Sequence, residues 1–175
     1  GIRSDPDFTL FVESLKTAPT SGAGKAAEYA LWINAYNALA IKMVIDHPCR
    51  KQFWRLKESK ITSIKGELGE RPYSDIGTIV KPVWKQPAGI VGGQTLALDD
   101  IENVKLRNPE GYPADPLLHA CIVCASASCP DVSLTAYKPE TLEADMAANM
   151  RHFLANTKKG LALDKEGGVI TLSKV

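Results

Sequence analysis

The sequence predicts one α/β domain of the α+β kind spanning residues 1–175, in which a central buried helix packs on a mixed or antiparallel sheet. Three observations predict it. The chain is long enough for one full hydrophobic core, whereas two domains would leave two marginal halves. Its 45% hydrophobic and 23% charged residues are ordinary globular proportions. One long helical pattern, apolar on most sides, stands among short strand-like runs punctuated by Gly and Pro.

The elements follow in order. Residues 8–16 have the spacing of a short amphipathic helix, and the Thr, Ala, Pro, Ser and Gly residues of 17–24 form a connector. A helix runs from about Lys25 to His47, where Pro48 stops it. Tyr29, Ile33, Tyr36, Ala40, Met43 and Val44 make one apolar stripe, while Trp32, Ala35 and Leu39 make another, so this helix belongs in the centre of the core. Short strands are expected at 79–84 and 89–97, the latter folded at Gly92-Gly93. Asp99 or Asp100 caps a short helix running towards Arg107, and 108–116 is loop. The apolar run Leu117 to Cys124 is expected to be a buried strand. Pro139 opens a helix to about Asn156 with Leu142, Met146, Met150 and Phe153 on its core side. A hairpin turning at Lys165-Glu-Gly-Gly168 closes the chain.

Composition narrows the function classes. A net charge of +1 leaves only a weak overall field, so nucleic acid is not expected as a partner. There is no run of about 18 apolar residues, so no membrane span is expected. Four cysteines are too few for a disulfide scaffold. Cys121, Cys124 and Cys129 fall together, but without a second ligand pair at zinc-binding spacing no metal is expected, and no cofactor either. A disulfide from Cys129 to Cys49 or Cys124 is an option in an exported protein. With no initiating Met at Gly1, the expectation leans towards a periplasmic or exported bacterial location.

Three constellations carry chemistry. His119 lies within ten residues of Cys121, Cys124 and Cys129, as a base that activates a thiol would. The small residues at 125–128, Ser126 among them, let the chain turn tightly and aim N–H groups at an oxyanion. Strand alternation puts His119, Cys121 and Val123 on one face and Cys124 on the other, so a His119–Cys124 dyad needs a kink near 123–125. Asn34 and Asn37 share a face of the buried helix and must find partners there: a neighbouring loop, or an acyl oxygen and His119. Glu102 can orient the imidazole of His119, or pair with Arg107 instead.

Ala30-Leu-Trp-Ile-Asn-Ala-Tyr-Asn-Ala-Leu39, Leu98-Asp-Asp-Ile-Glu102 with Arg107, His119-Ala-Cys-Ile-Val-Cys-Ala-Ser-Ala-Ser-Cys-Pro130 and Ala136-Tyr137 occur in one register. Together they resemble the family called domain of unknown function 547 over residues 8–175. The resemblance implies signature positions at Trp32, Asn34, Asn37, Glu102, His119 and Cys124. Plant relatives often carry Ser where this chain has Cys129, which favours Cys124 as the functional thiol. Asn103 stands where the family has His, and the chain ends at Val175 where the family continues into an aromatic-rich tail. The His, Cys and Glu set invites comparison with papain-like and transglutaminase-like enzymes, although here His119 precedes Cys124.

The expected function is a thiol-dependent hydrolase or acyltransferase acting on a peptide or amide substrate. Cys124 is the expected nucleophile, His119 the base and Glu102 the orienting group. Asn34, Asn37, Ser126 and Trp32 are expected to bind substrate or polarise the acyl oxygen. The alternative is a non-enzymatic binding or interaction module, with a small-molecule, peptide or protein partner, whose signature residues form a polar core network.

Overall fold

The structure, a computed structural model, describes residues 1–46, 83–107, 115–125 and 129–173. Helix α1 spans Pro6–Ser14; Pro6 sits at its first position and Asp5 Oδ1 accepts from the N–H groups of Asp7 and Phe8 at 2.9 and 3.1 Å. A 3-10 turn, Leu15–Thr17, follows and buries Leu15. Helix α2, Lys25–Asp46, is the centre of the core, and both predicted stripes are buried except for Val44, which is half-buried. A helix surrounded on most sides needs partners on most sides, and α2 has them: α1, a hairpin and the Glu102 segment.

That hairpin is β1, Pro87–Val91, antiparallel to β2, Gln94–Ala97. Gly92 and Gly93 turn it with φ of 55° and 78°, the two left-handed residues that a tight two-residue connection requires. Their N–H groups donate to the carbonyls of Leu15 and Lys16 at 2.9 and 2.8 Å, docking the turn on the end of α1. Gly89 lets β1 approach α2, since a Cβ there would stand 2.5 Å from Leu39 Cδ2.

Helix α3, Leu98–Asp100, starts where Asp100 Oδ2 accepts from the Ala97 N–H at 2.8 Å. It continues as a π-helical turn, Ile101–Leu106, closed by Arg107 N–H donating to the Glu102 carbonyl at 3.0 Å. Helix α4, Leu142–Ala155, packs on the segment Pro116–Ala120 and buries Leu142, Met146 and Phe153. A second hairpin, β3 Leu161–Asp164 with β4 Val169–Leu172, ends the chain.

The chain is therefore mixed α and β, with small antiparallel sheets, and the two described sheets are separate two-stranded hairpins. Helix–helix and helix–loop contacts, not a sheet beneath α2, supply the greater part of the described core. The strand expected at Leu117 to Cys124 is corrected: Pro116–Ala120 is a 3-10 helix, and the residues from Ile122 to Cys124 are neither helix nor strand. Asp115 and Pro116 explain this. The Asp115 carboxylate accepts from Leu117 N–H at 2.8 Å and Pro116 pre-sets the helical φ, so the segment opens as a capped helix. A short apolar run has the same composition in either state, and the cap decides. The strand expected at 79–84 falls mostly outside the described residues; Val83–Lys85 is a 3-10 turn.

Candidate functional site

The helix asparagines act as backbone clamps. Asn37 donates from Nδ2 to the Cys121 carbonyl at 2.8 Å, and its Oδ1 accepts from Val123 N–H at 3.0 Å. Asn34 does the same for Tyr137, donating to its carbonyl and accepting from its N–H, both at 2.9 Å. A carboxamide has the same donor and acceptor pair as a peptide unit, so each side chain supplies the pairing a neighbouring strand would otherwise provide. Of the two uses weighed for these residues, the structure has both holding neighbouring segments in place.

Glu102 is 1% exposed and is the centre of a charged network. Tyr36 OH donates to its Oε2 at 3.1 Å, and Arg107 Nη2 donates to its Oε1 at 2.8 Å. The π-helical turn makes the second contact. On an α-helix, residues five apart point well away from each other, whereas the wider π turn brings Glu102 and Arg107 onto one side. Arg107 also meets His119 Nδ1 at 3.3 Å. Guanidinium only donates, so that nitrogen accepts and the imidazole carries its proton on Nε2. Glu102 thus acts on His119 through Arg107, the pairing partner the sequence had offered as its alternative.

Cys124 and Cys129 are joined as a disulfide, so in this state Cys124 has no thiol to offer. Cys121 is free and buried, and its S–H donates to the Leu117 carbonyl at 3.2 Å. Burial pushes this thiol up to about 11, with Tyr137 opposing and Asp115 adding to the rise. Burial, then Glu102, pushes Tyr36 up; burial, then Cys121, pushes Tyr137 up. In each case the folded protein favours the protonated form, so stability is full below the unfolded value and falls as pH rises towards the folded one. From about pH 9, the ordinary value for the thiol, Cys121 alone takes away up to about 1.4 kcal/mol per pH unit. Urea midpoints recorded from pH 8 to 11 should fall from about pH 9 and fall less steeply in Cys121→Ala.

Trp32 is buried, with Lys105 Nζ 5.3 Å from its ring centroid, so its face meets a cation of the chain itself. Ser126 lies outside the described residues, as do His47 and Cys49. Two residues that make polar contacts here, Tyr36 and Asn149, are not singled out by the sequence as polar contacts. Tyr36 had been placed in an apolar stripe, and its hydroxyl gives no signal of where it ends. Asn149 donates to the Ala120 carbonyl and, at 3.1 Å, to Tyr137 OH; an amide on the face of a mostly apolar stripe is the signal that marks it. Among the described residues no three His, Cys, Asp or Glu side chains gather around a point that could hold a metal ion. No helix among them is long and apolar enough to cross a membrane.

An open cleft of about 520 Å³ lies between the first turns of α2 and α4, with Lys25, Tyr29, Asp115, Glu140, Glu143 and Met146 among its lining residues. Asn34 holds one wall, because it fixes Tyr137 two residues before Pro139, where that wall begins.

Comparison with known families matches residues 20–154 to the family described as "Protein of unknown function, DUF547". No curated protein and no solved structure matches the chain. The expected likeness to papain-like or transglutaminase-like folds accordingly finds no support.

Proposed function

This chain belongs to the DUF547 family, and we propose that it is a non-enzymatic binding or interaction module whose signature residues form a polar core network beneath a ligand groove. The observation that carries the reading is how the signature side chains are used. Asn34 and Asn37 each spend a donor and an acceptor on main chain, and both oxygens of Glu102 accept from the chain's own Tyr36 and Arg107. Groups so committed hold a surface in shape; they are not free to follow a reacting atom. His119 supports the same reading, because a general base at Nε2 needs a lone pair where this tautomer carries a proton.

The groove is the cleft between α2 and α4. Its lining has Lys25 against Asp115, Glu140 and Glu143, which favours a basic or neutral polar ligand such as a peptide segment. A lysine-rich peptide titrated into isotopically labelled protein should shift the amide resonances of Lys25–Tyr29 and Glu140–Ala144. The shifts should be lost in a Glu140→Lys, Glu143→Lys variant. Resonances that stay in place throughout the titration would refute the groove assignment.

A second reading has one observation in its favour: Cys124 sits in a reducible pair, five residues from His119. In the reduced protein this is a thiol-dependent hydrolase or acyltransferase of peptides or amides, with Cys124 as nucleophile, His119 as base and Glu102 orienting His119 through Arg107. Iodoacetamide at neutral pH, added to the reduced and folded protein, separates the two. A binding module alkylates at Cys124 at the rate of a free thiol, equally in wild type and His119→Ala. Fast single-site alkylation that His119→Ala suppresses establishes the enzyme instead.

A further inference from the structure

We propose that Cys124 and Cys129 form a reversible redox clasp, closed at the expense of backbone strain at Ala125 and opened by a dithiol while the protein stays folded. The proposal goes beyond the binding role. Among the described residues Ala125 is the non-glycine residue with positive φ, at 55°, and it directly follows a bridged cysteine. A side chain with a Cβ sits poorly in the left-handed region, because Cβ crowds the following carbonyl oxygen.

On the N-terminal side, Asn37 holds the Cys121 carbonyl and the Val123 N–H, so the chain entering Cys124 is tethered to α2. On the other side, the buried Pro130 restricts Cys129 to extended backbone. The bridge joins these two ends across a sequence separation of five, and Ala125, in the left-handed region, is the first residue inside it. Cys121 does not compete for the bridge. Its thiol is buried, donates to Leu117 and is protonated at neutral pH, so the 124–129 pairing does not shuffle towards it.

Opening is a two-step exchange. A thiolate of the dithiol attacks one sulfur of the pair; Cys124, at 7% exposed against 2% for Cys129, is the more accessible end. The Cys124–Cys129 bond breaks and the departing thiolate takes a proton from water. The second thiolate of the dithiol then attacks the mixed disulfide. The protein leaves with two thiols, and the dithiol leaves as a disulfide. Ala125 is then released from the left-handed region.

The test equilibrates the full chain in buffers of reduced and oxidised dithiothreitol, quenches in acid and reads the Cys124–Cys129 peptide by mass. Ala125→Gly removes the left-handed penalty and should move the equilibrium about fivefold towards the disulfide. Ala125→Val increases that penalty and should move it about fivefold the other way. Both variants matching wild type within twofold would overturn the proposal, as would a wild-type bridge that opens only in unfolding concentrations of urea. Should Ala125→Val fail to fold, the glycine variant decides alone. The readout is exchange, not turnover, so it stands apart from whether reduced Cys124 catalyses anything.

Discussion

Glu102→Ala is expected to lower folding stability by about 3 kcal/mol, the low end for breaking a buried ion pair. Glu102 is fully enclosed, but the Arg107 side chain is 32% exposed and recovers some hydration when its partner is lost. Tyr36 OH recovers none, because Tyr36 is at 0% exposure. The variant therefore leaves one unpaired hydroxyl, one half-solvated guanidinium and a cavity where the carboxylate was. Glu102→Gln keeps the shape and an acceptor for Tyr36 and should cost roughly half as much. Urea denaturation monitored by tryptophan fluorescence measures both. Equal losses for Ala and Gln would show that charge pairing with Arg107, not occupancy and hydrogen bonding, sets the stability here. His119 should respond as well: without Glu102, Arg107 is free to shift away from Nδ1, and the imidazole resonances should move with it.

Asn37→Ala is expected to cost about 2–3 kcal/mol, since it leaves two backbone groups without partners at roughly 1–3 kcal/mol each, part of which water recovers. The groups are the carbonyl of the buried Cys121 and the N–H of the half-buried Val123. Asn34→Ala removes the same two bonds from Tyr137, but Asn34 is itself less buried, and the loss should be smaller. Amide exchange separates a local effect from a global one. In Asn37→Ala, Val123 N–H should lose protection beyond the drop shared by the α2 amides. A Val123 amide that exchanges in step with α2 would mean that the clamp contributes only to global stability.

The two variants probe opposite ends of what could be read in the chain. Helix α2 was legible because its periodicity is long and apolar on most sides, and such a pattern has few other homes. Gly92-Gly93 was legible as a turn because two left-handed residues in succession ask for glycine. The run at Leu117 to Cys124 is ambiguous because eight mostly apolar residues fit a strand or a buried helical turn equally well; the decision lies just upstream, in the Asp115 cap and Pro116. Asn34 and Asn37 announced themselves as amides in an apolar face. What they hold lies 84 to 103 residues away, a distance no local pattern spans.

The sequence by itself determined the central helix, the two hairpins, the family and the set of polar residues that had to find partners in the core. Those follow from local periodicity, turn chemistry and the cost of burying an unpaired polar group. Tertiary structure selected among the partners that the sequence left open and supplied the distant ones. It paired Glu102 with Arg107 across a π-helical turn, a winding that shifts side-chain register by more than a sequence pattern reveals. It bonded Cys124 to Cys129, and it turned both asparagines onto main chain. The asparagine clamps depend on where segments 84 to 103 residues apart meet, which is set by the packing of the core around α2, while the other two pairings depend on the local path of the chain over five residues.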